Sequence, residues 1–206
     1  IPKKTIIFMD GGPIMNYLMQ SFEVKKNQRI INNSGLDSDG FSLISSIGLD
    51  NINPYKFVVV FCDENTFINS YNSINLIIKK KLPFKIFLYK GAKNIALKNS
   101  QDEYFGSRYV ATNHEDSNEL LLNDILVKNL KIKISKINNK EEYKKKLNEV
   151  FTNKKTQIYS IKLDKNHKII PKLGFSIDYN GKWLPRSLED MYPFIDGLKL
   201  KKTMEY

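Results

Sequence analysis

The run Thr5-Ile6-Ile7-Phe8-Met9-Asp10-Gly11-Gly12 constrains the fold more than any other segment of the chain. Consecutive apolar residues, then a carboxylate and two glycines, describe a strand buried on both faces that ends abruptly in a tight loop. The amphipathic stretch behind it sets Ile14, Leu18 and Phe22 on one face. Strands buried on both faces belong to parallel sheets covered by helices, and in open α/β sheets ligands bind outside the carboxyl ends of the strands. Asp10 therefore stands where an acid can hold a metal or orient a phosphate. Its ordinary alternative is to cap the next helix or stabilise the turn.

The same grammar recurs along the chain. A helix is predicted near 13–23, a polar loop over 25–38, and a short helix around Phe41, Leu43, Ile44 and Ile47. Residues 57–62 read as the clearest buried strand, closed by Asp63-Glu64-Asn65. Residues 66–81 read as a helix ending in Lys79-Lys80-Lys81, where cations suit the negative end of the dipole. A strand at 84–89, a loop of weak helical character at 90–107 and a short strand at 108–111 follow, then a helix from 116 to about 128. Alternation at 131–135, a surface helix at 141–150 and a strand at 157–163 lead to the tail. There, 175–179, Asn180-Gly181 and 182–184 form the strongest hairpin signal. The expected fold is α/β and Rossmann-like, a largely parallel doubly wound sheet with a C-terminal β-hairpin adding antiparallel strands at one edge. The expected organisation is a single domain over 1–206, with 157–206 as a C-terminal strand and hairpin extension.

Composition narrows the chemistry. The apolar runs fall far short of the roughly 20 residues that span a bilayer, so a soluble, intracellular protein (cytoplasmic or organellar) is expected. One cysteine, Cys62, excludes an internal disulfide and a Cys-based zinc cluster, and two histidines, His114 and His167, argue against a His-rich site. A metal here would be held by carboxylates, which suits magnesium or manganese. The chain begins with Ile1, as a processed product or an excised piece would. The net charge of +11 points to a polyanionic partner, nucleic acid ahead of a membrane surface. Against that stand 30 Lys, 25 Ile and 22 Asn, the drift of an AT-rich genome, and only three arginines, Arg29, Arg108 and Arg186.

Three acidic clusters fall just past predicted strand ends: Asp10, then Asp63-Glu64, then Glu115-Asp116 with Glu119. Parallel strands bring such ends to one edge, where carboxylates distant in sequence converge. Clustered carboxylates read as a divalent metal site able to activate water beside a scissile phosphate. Each also has a structural reading, Asp116 as an N-cap with Glu119 as its capping-box partner and Asp63 as a turn residue. Lys79, Lys80 and Lys81 lead the basic clusters, and Arg108 and Arg186, near Tyr109 and Trp183, are candidates for phosphate and stacking contacts. Burial of Trp183 against the sheet is the competing expectation.

This order of elements resembles the PIN/NYN ribonuclease superfamily, in particular the Regnase-type and proteinaceous RNase P NYN domains. The resemblance rests on the opening strand with Asp10-Gly11-Gly12-Pro13, the strand at 57–61, the acidic helix start over 112–122, and the tail with Gly181-Lys182-Trp183-Leu184-Pro185. Ser117 after Asp116, and Ser135-Lys136 after Ile134, depart from that family's acidic pattern. The resemblance implies a metal-dependent endoribonuclease acting on RNA. Asp10, Asp116 and Glu119 would be catalytic, and Asp63 would join them around Mg2+ or Mn2+. Two alternatives stand beside it: a catalytically degenerate RNA- or protein-binding module of the same fold, and a Rossmann-like enzyme acting on a phosphorylated small molecule. The latter lacks a Gly-x-Gly-x-x-Gly or Walker loop.

Overall fold

Strand β1 (Thr5–Met9) is buried along its whole length, as its unbroken apolar sequence requires. Its side chains alternate, Ile6 and Phe8 to one face and Ile7 and Met9 to the other, and each pair meets a separate apolar layer. The computed structural model describes residues 1–51, 55–112, 132, 134–152, 154–164 and 166–204. Among these, β1 is joined through α1 (Gly12–Met19) to β2 (Arg29–Ile31), and then through α2 (Phe41–Ile47) to β3 (Phe57–Asp63). Helices α3 (Glu64–Asn69) and α4 (Tyr71–Lys79) lead to β4 (Phe84–Lys90), which α5 (Ala92–Tyr104) follows. Beyond it come β5 (Ile134–Ile137), α6 (Lys140–Val150) and β6 (Gln157–Lys162). The six strands form one sheet of order β2-β1-β3-β4-β6-β5, parallel at every pairing.

One face is covered by Leu43, Phe67, Ile74 and Ile77 from α2, α3 and α4, packed on Ile6, Val60, Ile86 and Leu88. The other is covered by Ile14, Leu18, Ala92 and Val150 from α1, α5 and α6, packed on Ile7, Val59, Phe61 and Phe87. Phe61, Phe87 and Tyr159 stack in series across β3, β4 and β6, with centroids 5.1 and 5.3 Å apart. The doubly wound parallel α/β sheet expected from the pattern is what forms.

Several local expectations change. The helix expected over 66–81 is two helices, broken at Ser70. The polar loop at 25–38 holds edge strand β2 and a 3-10 turn, Ser34–Leu36. The segment at 90–107 is mostly helix α5, opened by Gly91 at φ +75°, a conformation that its missing Cβ permits. No strand forms at 108–111, where Ala111 takes φ +60° and the Val110 carbonyl accepts from Gln101 Nε2. The helix expected at 116–128 lies outside the described residues.

The chain divides into two compact units, Ile1–His167 and Lys168–Tyr206. In the second, β7 (Phe175–Ile177) and β8 (Trp183–Pro185) pair antiparallel as a two-stranded sheet of their own, followed by α7 (Gly197–Met204). The hairpin is present but does not extend the edge of the main sheet. Its Trp183 is 41% exposed and meets Phe175 edge-on, so it is neither fully buried nor free.

Lys85 is the unusual core residue. It lies on β4, wholly buried, and its ammonium donates to the Lys155 carbonyl at 2.7 Å and Gln157 Oε1 at 2.6 Å, tying β4 to the start of β6. Burial lowers its pKa to about 8. Between that value and the unfolded-state value near 10.4, the unfolded chain keeps a proton that the folded chain has shed, so stability rises with pH across that window. Chemical denaturation from pH 7.5 to 10 is expected to show that rise in the wild type, and Lys85→Met is expected to lack it.

Candidate functional site

The strand order places the topological switch point between β1 and β3. From β1 the chain runs outward through α1 to β2, then crosses to the other face and returns as β3 on the opposite side of β1. In doubly wound sheets the crevice outside the carboxyl strand ends at such a point is where ligands bind. Asp10 and Asp63 stand there on neighbouring strands, each 4% exposed.

Each of these acids performs a structural task. The N-cap of α2 is Gly40, which has no side chain to offer, and Asp10 Oδ1 supplies the missing cap by accepting the Ser42 amide at 3.0 Å. Asp63 is itself the N-cap of α3, accepting the Thr66 amide at 2.8 Å. Asp10 Oδ2 is buried together with the hydroxyls of Ser42, Thr66 and Ser70, and those of Thr66 and Ser42 act on the carboxylate as donors. Burial raises the Asp10 pKa and the neighbouring Asp63 carboxylate adds to the rise, against the pull of Thr66 and Ser42.

A second carboxylate group lines the same edge. Asp37 lies over the Gly11-Gly12 turn, so that a Cβ built on Gly11 would meet Asp37 Oδ1 at 2.3 Å and Asn33 Oδ1 at 3.1 Å. On the far side of Asp63, Glu64 bridges the sheet edge. Its Oε2 accepts the Gly91 amide at 3.3 Å, at the N-terminus of α5, and its Oε1 lies 4.0 Å from the Lys90 ammonium. Both side chains of that pair are less than a fifth exposed. The Gly-Gly turn, the start of α3 and the start of α5 thus each carry a carboxylate of the chain itself.

The predicted residues divide accordingly. Asp10 and Asp63 converge; Asp116 and Glu119 lie outside the described residues. Lys79, Lys80 and Lys81 end α4 and precede β4, which puts them at the amino edge of the sheet, opposite the acids. Arg108 is exposed in the turn after α5. Arg186 belongs to the second unit, where its guanidinium pairs with Asp190 at 2.6 Å and stacks 4.7 Å over Phe194. Among the described residues, no three His, Cys, Asp or Glu side chains form a group able to hold a metal. Lys90 and Gly91 were hidden by reading 90–107 as a loop. A glycine directly after an apolar strand, opening a helix, was the available signal.

Comparison with known proteins decides which family the chain belongs to. The family model described as "Thiamine pyrophosphate enzyme, C-terminal TPP binding domain" matches residues 10–161, from Asp10 at the end of β1 to Ile161 in β6. The chain belongs to that family. A relative is the acetolactate synthase isozyme 2 large subunit of Escherichia coli (strain K12), 24% identical over 121 residues, which are 59% of this chain and 22% of the relative. The chain therefore spans about a fifth of that relative's length.

This membership overturns the resemblance to PIN/NYN ribonucleases. With it go the ribonuclease activity, RNA as partner, and Mg2+ or Mn2+ as the metal of a nuclease site. The physical reason is that a buried strand ending in an acid, followed by a crossover helix, is shared by many parallel α/β sheets, and the motifs that carried the resemblance were short. The Rossmann-like enzyme on a phosphorylated small molecule, held there as an alternative, stands nearer to the family found.

The carboxylate at position 10 bears a specific prediction. Its raised pKa means that ionising it above the ordinary aspartate range costs folding stability. Asp10→Asn keeps an oxygen for the Ser42 amide and removes the charge. It is expected to equal or exceed the wild-type melting temperature at pH 7, with the difference shrinking as pH falls towards 4 and gone below it, in paired thermal melts.

Proposed function

We propose that this chain is the cofactor-side domain of a thiamine-pyrophosphate enzyme, and that the carboxyl edge of β3 and β4 receives the diphosphate end of the cofactor. The observation that carries the reading is the corner formed by Lys90, Gly91 and α5. A 13-residue helix opens there with an amide aimed at an anion, a lysine stands beside it, and an anion, the Glu64 carboxylate, already occupies the position. Amides at a helix N-terminus with an adjacent ammonium suit a phosphate group.

The donor set fits the group. Mg2+ is usually held by one or two carboxylates together with substrate phosphates rather than by an all-protein cage, so the absence of a three-residue cluster among the described residues is compatible with it. Asp63, at the end of β3 and next to Glu64, is the carboxylate we assign to that ion. When bound, thiamine pyrophosphate supplies the ylid that carries the carbanion chemistry of its enzymes. The protein's part at this edge is to fix the diphosphate: Lys90 neutralises it, the α5 amides orient it, and the packed layers beneath β3 and β4 hold both against one rigid sheet.

The relative is named as a large subunit, and we infer that the partner of this chain is another protein chain rather than nucleic acid. No helix among the described residues is long and apolar enough to cross a membrane.

Thiamine pyrophosphate with Mg2+, at a concentration about a hundredfold above its Kd, is expected to raise the melting temperature by roughly 5–10 °C. Thiamine, which lacks the diphosphate, is expected to leave it unchanged. Asp63→Asn preserves an acceptor for the Thr66 amide, and is expected to fold normally while losing the Mg2+-dependent part of the shift. Equal response to thiamine and thiamine pyrophosphate would refute the assignment of the diphosphate to this edge.

A further inference from the structure

We propose that the cavity between α6 and strands β5 and β6 is a binding site for a small zwitterion of the free amino acid class. The cavity measures about 660 Å3 and is walled by the β5 segment, one face of α6, and Gln157 and Tyr159 of β6. A volume in that range accommodates a small molecule. Gln157 pairs with Lys85 where β4 and β6 begin, at the opposite end of the strands from Asp63. The site is therefore separate from the carboxyl edge and does not depend on the cofactor assignment made there.

The floor of the cavity is a fixed hydrogen-bond relay. Gln157 Oε1 accepts from the buried Lys85 ammonium at 2.6 Å and from the Tyr159 hydroxyl at 3.0 Å. An ammonium can only donate, so the amide oxygen is the atom turned towards Lys85, and the amide nitrogen is turned away with two N–H groups to offer. Tyr159 is 3% exposed and its ring ends the stack of Phe61 and Phe87, so the floor rests on the packed core. Burial first, and the Glu149 carboxylate second, raise the pKa of the Tyr159 hydroxyl, which sets Glu149 near it. On α6, Glu142, Lys146 and Glu149 recur at i, i+4 and i+7 and line one face. Glu142 accepts the Asn138 amide at 2.9 Å, and Lys146 spends one of its three N–H groups on the Lys136 carbonyl. The cavity thus offers an ammonium at Lys146, amide donors at Gln157 and a carboxylate at Glu149. Its charged lining balances, Lys136 and Lys146 against Glu142 and Glu149. A simple anion or cation would be repelled by one of these pairs, whereas a zwitterion sets its carboxylate on Lys146 and Gln157 and its ammonium on Glu149.

Thermal melts of the chain with each L-α-amino acid in turn, at millimolar concentration, test the site. At least one is expected to raise the melting temperature by about 3–6 °C at about tenfold excess over its Kd. Its α-amide lacks the negative charge and its N-acetyl derivative lacks the positive one. Both are expected to bind about tenfold more weakly in isothermal titration, the size of one charge-assisted hydrogen bond. Gln157→Glu keeps an acceptor for Lys85 and Tyr159 while removing the amide donors, and Glu149→Gln removes the carboxylate at an exposed position. Each variant is expected to keep the wild-type circular dichroism and to lose about tenfold in affinity. Should Gln157→Glu fail to fold, Glu149→Gln alone carries the test. Stabilisation by no amino acid would overturn the proposal. Equal binding of the amide or the N-acetyl derivative would overturn it too, as would unchanged affinity in a folded variant, which would put the ligand elsewhere on the chain.

Discussion

The burial of Asp10 and Asp63 on adjacent strand ends is the constraint around which the first unit is arranged. A parallel sheet covered on both faces ends its strands and begins its helices beneath protein, so the first amides of those helices need acceptors that water cannot supply. Asp63 serves the helix that follows its own strand, whereas Asp10 serves α2, through Ser42, 32 residues further on. Replacing such a cap costs about 1 kcal/mol. Burying a carboxylate works against that gain, and the raised Asp10 pKa expresses the cost of burial first, with the neighbouring Asp63 carboxylate adding a smaller part. The edge is thus held between the gain of helix capping and the cost of burying the capping carboxylates.

This arrangement explains why the same sheet edge supports two very different functional readings. Acids at the carboxyl ends of parallel strands look like a metal site when seen as a list of positions, and a metal site beside basic residues looks like a nuclease. In the structure, the lysine cluster at the end of α4 does not join them. Lys79, Lys80 and Lys81 sit where α4 returns to the amino edge, and Arg186 is engaged by Asp190 and Phe194 in the second unit. Among the described residues, a cation that reaches these acids is Lys90, 4.0 Å from Glu64, which a strand of seven residues carries to the same edge as Asp63. Under the proposed assignment of the diphosphate to that corner, Lys90 and the first amides of α5 are the positive side chain and helix-terminal donors such a group needs.

Much of the architecture was legible because it follows from local rules. The buried strands at 5–9 and 57–62 are written in apolar runs and that at 84–89 in a run interrupted only by Lys85, and the α6 surface helix and the Asn180-Gly181 turn in short-range patterns. Strand β2, with only three half-exposed residues, offers too short a pattern to distinguish it from loop. Helix α5 has polar residues on most positions, so its periodicity is weak, and it forms because the Gly91 start and the burial of Ala92 and Ile95 hold it on the sheet.

By itself, then, the sequence determined that this chain builds a doubly wound parallel sheet with acids at its strand ends, because apolar runs and abrupt acidic or glycine stops act over a few residues. Which of those acids meet, what each one binds and which cation joins them were decided only in three dimensions. Ser42 reaches Asp10 across 32 residues and Gly91 reaches Glu64 across 27. Contacts of that kind depend on strand order and on the face to which each crossover packs, and neither is encoded in any local stretch of the chain.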